Sequence, residues 1–161
     1  MLRVILADDE NKVILLMRKL IDWEALGYEV VGVANDCLHA LELVQNLQPH
    51  LLITDIRMPG CDGIELIRRA KELQPKLHFI VISGYRQFEY AQSALKYGVE
   101  DYLLKPLKQE ELSAILLRLK DKLGEEAALE LQLKKSGERR QELLIDALFD
   151  AAERQSPFLT A

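Results

Sequence analysis

The sequence predicts an α/β fold, a five-stranded, doubly wound parallel sheet followed by a C-terminal helical extension. Three observations carry that prediction. Five short apolar runs alternate with five segments of helical periodicity between residues 2 and 123. The first, third and fourth runs are continuously apolar rather than alternating, as strands buried on both faces must be. Acidic or small polar residues stand where these three runs stop, at ADD, TD and IS.

The elements follow in order. LRVILA (2–7) is the first strand. KVILLMRKLID (12–22) has helical spacing, with Val13, Leu16, Met17 and Leu20 expected on one face. YEVVGVA (28–34) is the second strand, and LHALELVQNL (38–47) the second helix, with Leu38, Leu41 and Val44 as its inward candidates. HLLITD (50–55), IELIRRAKEL (64–73) and LHFIVIS (77–83) read as strand, helix and strand. QFEYAQSALKYG (87–98) is a helix stopped by Gly98, a residue type common just past a helix end. EDYLL (100–104) is the fifth strand and QEELSAILLRLKDKL (109–123) the fifth helix. Right-handed crossovers leave few ways to connect these units, and five strands favour the flavodoxin-like (βα)5 order 2-1-3-4-5.

After Leu123 the chain becomes charged and rich in helix formers, with glycines at 124 and 137 and a terminating Pro157. One or two helices are expected there. Leu112, Leu116, Leu119 and Leu123 have a/d-like spacing, but Glu126 and Glu130 interrupt its continuation. Residues 1–123 are therefore expected to form one domain, and 124–161 a partly flexible helical linker or dimerisation extension.

Composition narrows the function. Hydrophobic residues make up 49% of 161, enough for a real core, while a net charge of −5 gives no sequence-wide attraction to nucleic acid or an anionic membrane surface. The opening apolar run is too short for a secretory signal, and no 18-residue apolar stretch exists, so a cytoplasmic protein with no membrane partner is expected. Cys37 and Cys61 lack the spacing of a metal or redox motif, and His39, His50 and His78 are scattered. Reduced thiols and ordinary packing or surface roles fit these five best.

In the expected topology the first strand lies beside the third, and parallel strands end at one edge. Asp8 and Asp9 follow the first strand and Asp55 closes the third, so carboxylates converge at the switch point where such sheets bind ligands. Like charges so close demand a proton or a cation. A set of oxygen donors without nearby cysteine or histidine points to a hard ion, Mg2+ above all. With no histidine base, the cluster suits modification of one aspartate better than hydrolysis, because a cation neutralises both nucleophile and phosphoryl oxygens. Ser83 ends the fourth strand and can donate to a phosphoryl oxygen. Lys105, before Pro106, ends the fifth and can reach across the edge with its ammonium, and the Lys105–Pro106 bond is a candidate for a cis peptide.

ADDE, TDIRMPGCDG, ISGY and DYLLKP together resemble the receiver domain of two-component response regulators, over residues 2 to 122. The resemblance implies that Asp55 is the phosphoacceptor, taking its phosphoryl group from a histidine of a sensor histidine kinase. It implies that Asp9, Asp55 and the backbone carbonyl of Arg57 bind Mg2+ directly, with Asp8 acting through water. Ser83 and Lys105 would hold the phosphoryl group, and Ser83 and Tyr102 would form the switch, altering the surface of the fourth helix, fifth strand and fifth helix. Slow autodephosphorylation, rather than enzymatic turnover, is implied. A homodimer would form through that surface or through the C-terminal helix. Cys61 stands where the family often has methionine and reads as a conservative change. WEALGYEVVGVAND and SGYRQFEYAQSALKYGVEDYLLKP resemble more particularly the YesN-like regulators, in which a receiver precedes an AraC-type DNA-binding domain. The residues after Leu123 are too few for its two helix-turn-helix units, so DNA contact is expected only through a domain outside this chain.

Phe88, Tyr90, Tyr97 and Tyr102 make the expected switch region aromatic-rich. Arg57 and Tyr85, each two residues past a site residue, should hinder an attacking water and prolong the acyl phosphate. Rival functions fit worse. A dehalogenase-type phosphatase needs D-x-D, not Asp8-Asp9, and a nucleotide binder needs glycines where ADDENK has carboxylates. A receiver-like domain that only makes protein contacts would have no use for the Asp55, Ser83 and Lys105 set.

Overall fold

The structure, a computed structural model, describes residues 1–84, 96 and 98–155, with side chains described up to residue 137. In chain order the elements are β1 (Leu2–Ala7), α1 (Asn11–Leu20), β2 (Tyr28–Ala34), α2 (Cys37–Leu47), β3 (Leu51–Asp55), β4 (Arg57–Met58), β5 (Cys61–Asp62), α3 (Gly63–Leu73), β6 (His78–Ser83), β7 (Asp101–Leu104) and α4 (Gln109–Gln155). The five long strands form one parallel sheet in the order β2-β1-β3-β6-β7, which is the expected topology. The expected helix over 87–98 falls almost wholly outside the described residues. Gly98, its expected stop, has φ +75, the left-handed geometry that favours glycine.

Strand parity splits the core in two. Ile5, Ala7, Leu52, Phe79 and Val81 pack with Ala40 and Val44 of α2 and with Leu66, Ile67 and Ala70 of α3. Val4, Leu6, Ile53 and Ile80 have the opposite parity and are fully buried, while α1 buries Ile14 and Met17 and the first turns of α4 bury Leu112, Ile115, Leu116 and Leu119. Two polar bonds fix that second layer: Tyr28 Oη donates to the Leu116 carbonyl at 2.6 Å, and Trp23 Nε1 to that of Met17 at 3.2 Å.

Two inward assignments fail. Leu16 is 44% exposed and Leu38 is 68% exposed; Ile14 and Ala40 take the buried positions instead. Apolar residues were crowded at adjacent positions in both helices, so periodicity alone could not choose among them, and the direction of docking did. Past Leu119 the final helix continues through Gly124 and Gly137 to Gln155, within the stretch expected to hold one or two helices as a linker or dimerisation extension. Two compact units result, Met1–Lys120 and Asp121–Ala161. The described part of the second is the later turns of α4, with Leu129, Leu131 and Leu133 exposed.

The lower end of the sheet carries a pH-sensitive contact. His50 Nδ1 accepts the Arg3 backbone N–H at 2.9 Å, while the Arg3 guanidinium donates to the carbonyls of Leu47 and Gln48 at the end of α2. Burial, then the Arg3 charge, holds His50 below the ordinary imidazole range. The unfolded chain therefore takes up this proton first, and stability from neutral His50 is complete above ~6.5 and is lost as pH falls below it. His50→Asn, whose carbonyl oxygen can keep the Arg3 bond, is expected to flatten the fall in urea midpoint between pH 7.5 and 5. An unchanged slope would remove His50 from the account.

Candidate functional site

Four parallel strands deliver their last residues to one edge of the sheet. β1 ends at Ala7 before Asp8 and Asp9, β3 ends at Asp55, β6 at Ser83, and β7 runs into Lys105. The ladder sets their relative heights: Ala7 pairs with Thr54, Asp55 with Ile82, and Ser83 with Leu104. One carboxylate oxygen each from Asp8, Asp9 and Asp55 lies within 4.8 Å of the others. Asp8 is 1% exposed and Asp55 8%, whereas Asp9 is exposed.

The local chain aims these groups. Asp55 Oδ1 accepts the N–H of Ile56 at 2.7 Å, and Asp8 Oδ1 accepts that of Glu10 at 2.9 Å. Both Oδ2 atoms are thereby turned to Lys105, whose Nζ lies 3.2 Å from each. The Lys105–Pro106 peptide is cis, as the sequence suggested, and Lys105 N–H donates to the Ser83 carbonyl at 2.7 Å. Ser83 is buried at 1% exposure beside this lysine.

The electrostatics reflect a charge-rich edge withdrawn from water. Desolvation, reinforced by the Asp55 charge and opposed by the Glu10 N–H and Lys105, lifts Asp8 to about 6. For Lys105, burial disfavours the ammonium, but Asp8 and Asp55 outweigh it and hold the group above its ordinary value. One cation thus faces two buried carboxylates and the exposed Asp9, which leaves the edge net negative and suited to a further positive charge. An all-oxygen donor set fits a hard divalent cation. Lys105→Met is expected to lower stability at pH 7.5 by ~2 kcal/mol in chelator, with part of the loss recovered at pH 4.5, where Asp8 takes up a proton. Urea denaturation at both pH values checks this; equal losses at both would mean that packing of the lysine stem, not its charge, matters.

All the sequence-derived site residues except Tyr102 lie at this edge. Arg57 opens the β4–β5 hairpin two residues past Asp55. Tyr102 sits within β7, paired with Val81, its ring against the α2–α3 core and its hydroxyl buried without a hydrogen-bond partner among the described residues. Tyr85, expected beside the site, lies outside the described residues.

Sequence reading missed three contributors. Asn35 Nδ2 donates to the Asp8 carbonyl at 3.1 Å and to Asn11 Oδ1 at 2.7 Å, tying together the ends of β1 and β2 and the start of α1. Gly63 brings its N–H to the Ile56 carbonyl at 2.6 Å, so that α3 starts directly beneath the Asp55 loop. The stretch between β3 and α3, given no element in the sequence reading, is a small hairpin, Arg57 paired with Asp62 and Met58 with Cys61. The cysteine reading also needs correction. Cys37 and Cys61 form a disulfide, with Cα atoms 5.7 Å apart, so Cys61 is not a passive stand-in for methionine. A separation of 24 residues gave no hint of it; α2 and the hairpin become neighbours only in the folded chain.

A doubly wound parallel sheet that presents three carboxylates and a lysine at its switch point defines a flavodoxin-like domain with an acidic strand-edge site. Residues 4–117 match the family described as the response regulator receiver domain, and the chain belongs to that family. Similar proteins agree. The uncharacterized transcriptional regulatory protein YesN of Bacillus subtilis (strain 168) is 40% identical over 143 residues, 89% of this chain and 38% of that protein. The transcriptional regulatory protein HptR of Staphylococcus aureus (strain NCTC 8325) is 37% identical over 119 residues, 74% of this chain and 46% of that protein. Among solved structures, the REC domain of AraT, a response regulator from Geobacillus stearothermophilus, gives a TM-score of 0.75 at 40% identity, covering 78% of this chain and 98% of that one. The chain spans less than half the length of these two curated relatives. No helix among the described residues is long and apolar enough to cross a membrane.

Proposed function

We propose that Asp55 accepts a phosphoryl group from a phosphohistidine of a sensor histidine kinase, in a Mg2+-dependent transfer, and that the product alters the surface at β7 and the start of α4. The observation that carries this reading is the oriented Asp55 carboxylate, with one oxygen held by the Ile56 N–H and the other facing Lys105, among two further aspartates. A carboxylate oxygen bonds to phosphorus as the phosphorus–nitrogen bond breaks, and the kinase histidine leaves as imidazole. Asp9, Asp55 and the Arg57 carbonyl would hold Mg2+, with Asp8 acting through water. The ion would supply positive charge to the nucleophile and the phosphoryl oxygens.

The chain's own groups do the rest. Lys105 turns from the Asp55 carboxylate to a phosphoryl oxygen, and Ser83 donates its hydroxyl to another. The modification adds about −1.5 to −2 charge at pH 7, which is what draws both residues toward it. Movement of Ser83 frees space toward which Tyr102, one strand away with its hydroxyl unsatisfied, can rotate. A partner then reads the changed surface. In a longer parent protein this switch would control transcription through an AraC-type helix-turn-helix domain; the names of YesN and HptR, both transcriptional regulatory proteins, support the transcriptional role. Such a pathway places the chain in the cytoplasm, and a homodimer through the switch surface or α4 would couple phosphorylation to DNA contact.

Acetyl phosphate in Mg2+ buffer, followed by intact mass, tests the reading. One added phosphoryl group is expected with Mg2+ and none with chelator. No addition from acetyl phosphate or a second small phosphodonor would favour a domain that only makes protein contacts. Mg2+ at tenfold its Kd is expected to raise stability at pH 7.5 by ~1.4 kcal/mol, a gain lost in Asp9→Asn, as urea denaturation would show.

A further inference from the structure

We propose that Cys37 and Cys61 form a thiol–disulfide switch that sets the cation affinity of the acidic edge, a proposal that rests on reading that edge as a Mg2+ site. Cys37 is the first residue of α2 and Cys61 lies on β5, in the hairpin that follows Asp55. The covalent loop from 37 to 61 contains all of β3 and therefore Asp55. The hairpin has only two cross-strand pairs, Arg57 with Asp62 and Met58 with Cys61, around a Pro59-Gly60 turn. A ribbon that short has little stability of its own. One backbone bond, from the Cys37 N–H to the Pro59 carbonyl at 3.0 Å, and the disulfide tie it to α2. Arg57, whose carbonyl is the proposed third direct ligand, is the first residue of the same hairpin. Cutting the disulfide loosens β5, the strand paired with Arg57, while Met58 keeps β4 anchored in the core, so the carbonyl is less firmly positioned rather than released.

The two sulfurs differ in access. Cys37 is fully buried, while Cys61 is partly exposed and lines one groove with Asp9, Arg57, Met58, Pro59 and Asp62. A reagent that reaches Cys61 therefore arrives beside an acidic residue of the site. Oxidation proceeds by exchange with a low-molecular-weight disulfide, RSSR. The Cys61 thiolate attacks one sulfur and expels RS−; the Cys37 thiolate then attacks Cys61 Sγ and expels the second RS−. Two protein thiols are oxidised and one RSSR becomes two RSH after protonation. Reduction is the reverse, with RS− entering at the accessible Cys61 and Cys37 leaving. In a reducing compartment a disulfide so placed is transient and regulatory rather than structural.

The full chain is equilibrated in glutathione buffers of graded ratio. Free thiols are trapped by alkylation and counted by intact mass, Mg2+ is titrated calorimetrically into the fully oxidised and fully reduced protein, and amide exchange is followed at residues 56–62. Mg2+ is expected to bind roughly threefold or more weakly to the reduced protein, because the carbonyl is less firmly pre-positioned, with faster exchange in the hairpin. Cys61→Ser is expected to show the reduced affinity under both conditions. Equal Mg2+ affinity in the two states overturns the switch alone. Absence of the disulfide at every glutathione ratio overturns it as well. No Mg2+ binding in either state overturns the cation-site reading together with the switch.

Discussion

Asp55→Asn is expected to take up no phosphoryl group from acetyl phosphate in Mg2+, where the parent chain takes up one. An amide oxygen is a poor nucleophile toward phosphorus, and none of the neighbouring groups can replace the carboxylate. Asp8 is buried and bonded to the Glu10 N–H and Lys105, and Asp9 is exposed at the rim. The same variant separates loss of function from loss of fold. Asn keeps an oxygen for the Ile56 N–H, and its neutrality removes a charge that helps to lift Asp8 to about 6. In chelator at pH 7.5 the variant should therefore be no less stable than the parent, and more stable by up to ~1 kcal/mol. Intact mass and urea denaturation read the two effects. Phosphoryl uptake by a stable Asp55→Asn protein would move the acceptor to another residue, and a large loss of stability would mean that the carboxylate is needed for folding.

Gly63→Ala is expected to cost ~3 kcal/mol or more, the largest single-methyl effect anticipated in the domain. A Cβ at this position would stand 2.6 Å from Ile56 Cα, 2.7 Å from the Asp55 carbonyl oxygen and 3.0 Å from that of Ile56. All three are backbone atoms, so no side chain can rotate away. Either α3 shifts outward, or the Asp55–Ile56 segment moves and carries the carboxylate with it. Both outcomes should reduce phosphoryl uptake along with stability. The buried α3 residues Leu66, Ile67 and Ala70 resist the first, which makes distortion of the site the expected relief. A loss below ~0.5 kcal/mol by urea denaturation would show that the helix start is free to adjust.

Lys105 separates what was legible early from what was not. Its place after the fifth strand could be read directly, because strand ends are marked by abrupt changes from apolar to polar residues. Its distance of 3.2 Å from both Asp8 and Asp55 depends on β6 and β7 lying in the predicted order beside β3. The order was deducible from handedness and the number of βα units. Burial within helices was less legible. Leu16 and Leu38 are at least as apolar as the residues that displaced them, and docking of α1 and α2 on the sheet chose Ile14, Cys37 and Ala40 beside the expected Met17 and Val44.

The sequence by itself determined the five parallel strands, their order and the convergence of Asp8, Asp9, Asp55, Ser83 and Lys105 on one edge. These rest on short-range periodicity and on the rule that parallel strands end together. Tertiary structure alone decided the pairing of Cys37 with Cys61, the close seat of Gly63 under Asp55 and the Asn35 bridge. Each depends on segments apart in the chain coming within a few ångströms, which local spacing does not encode.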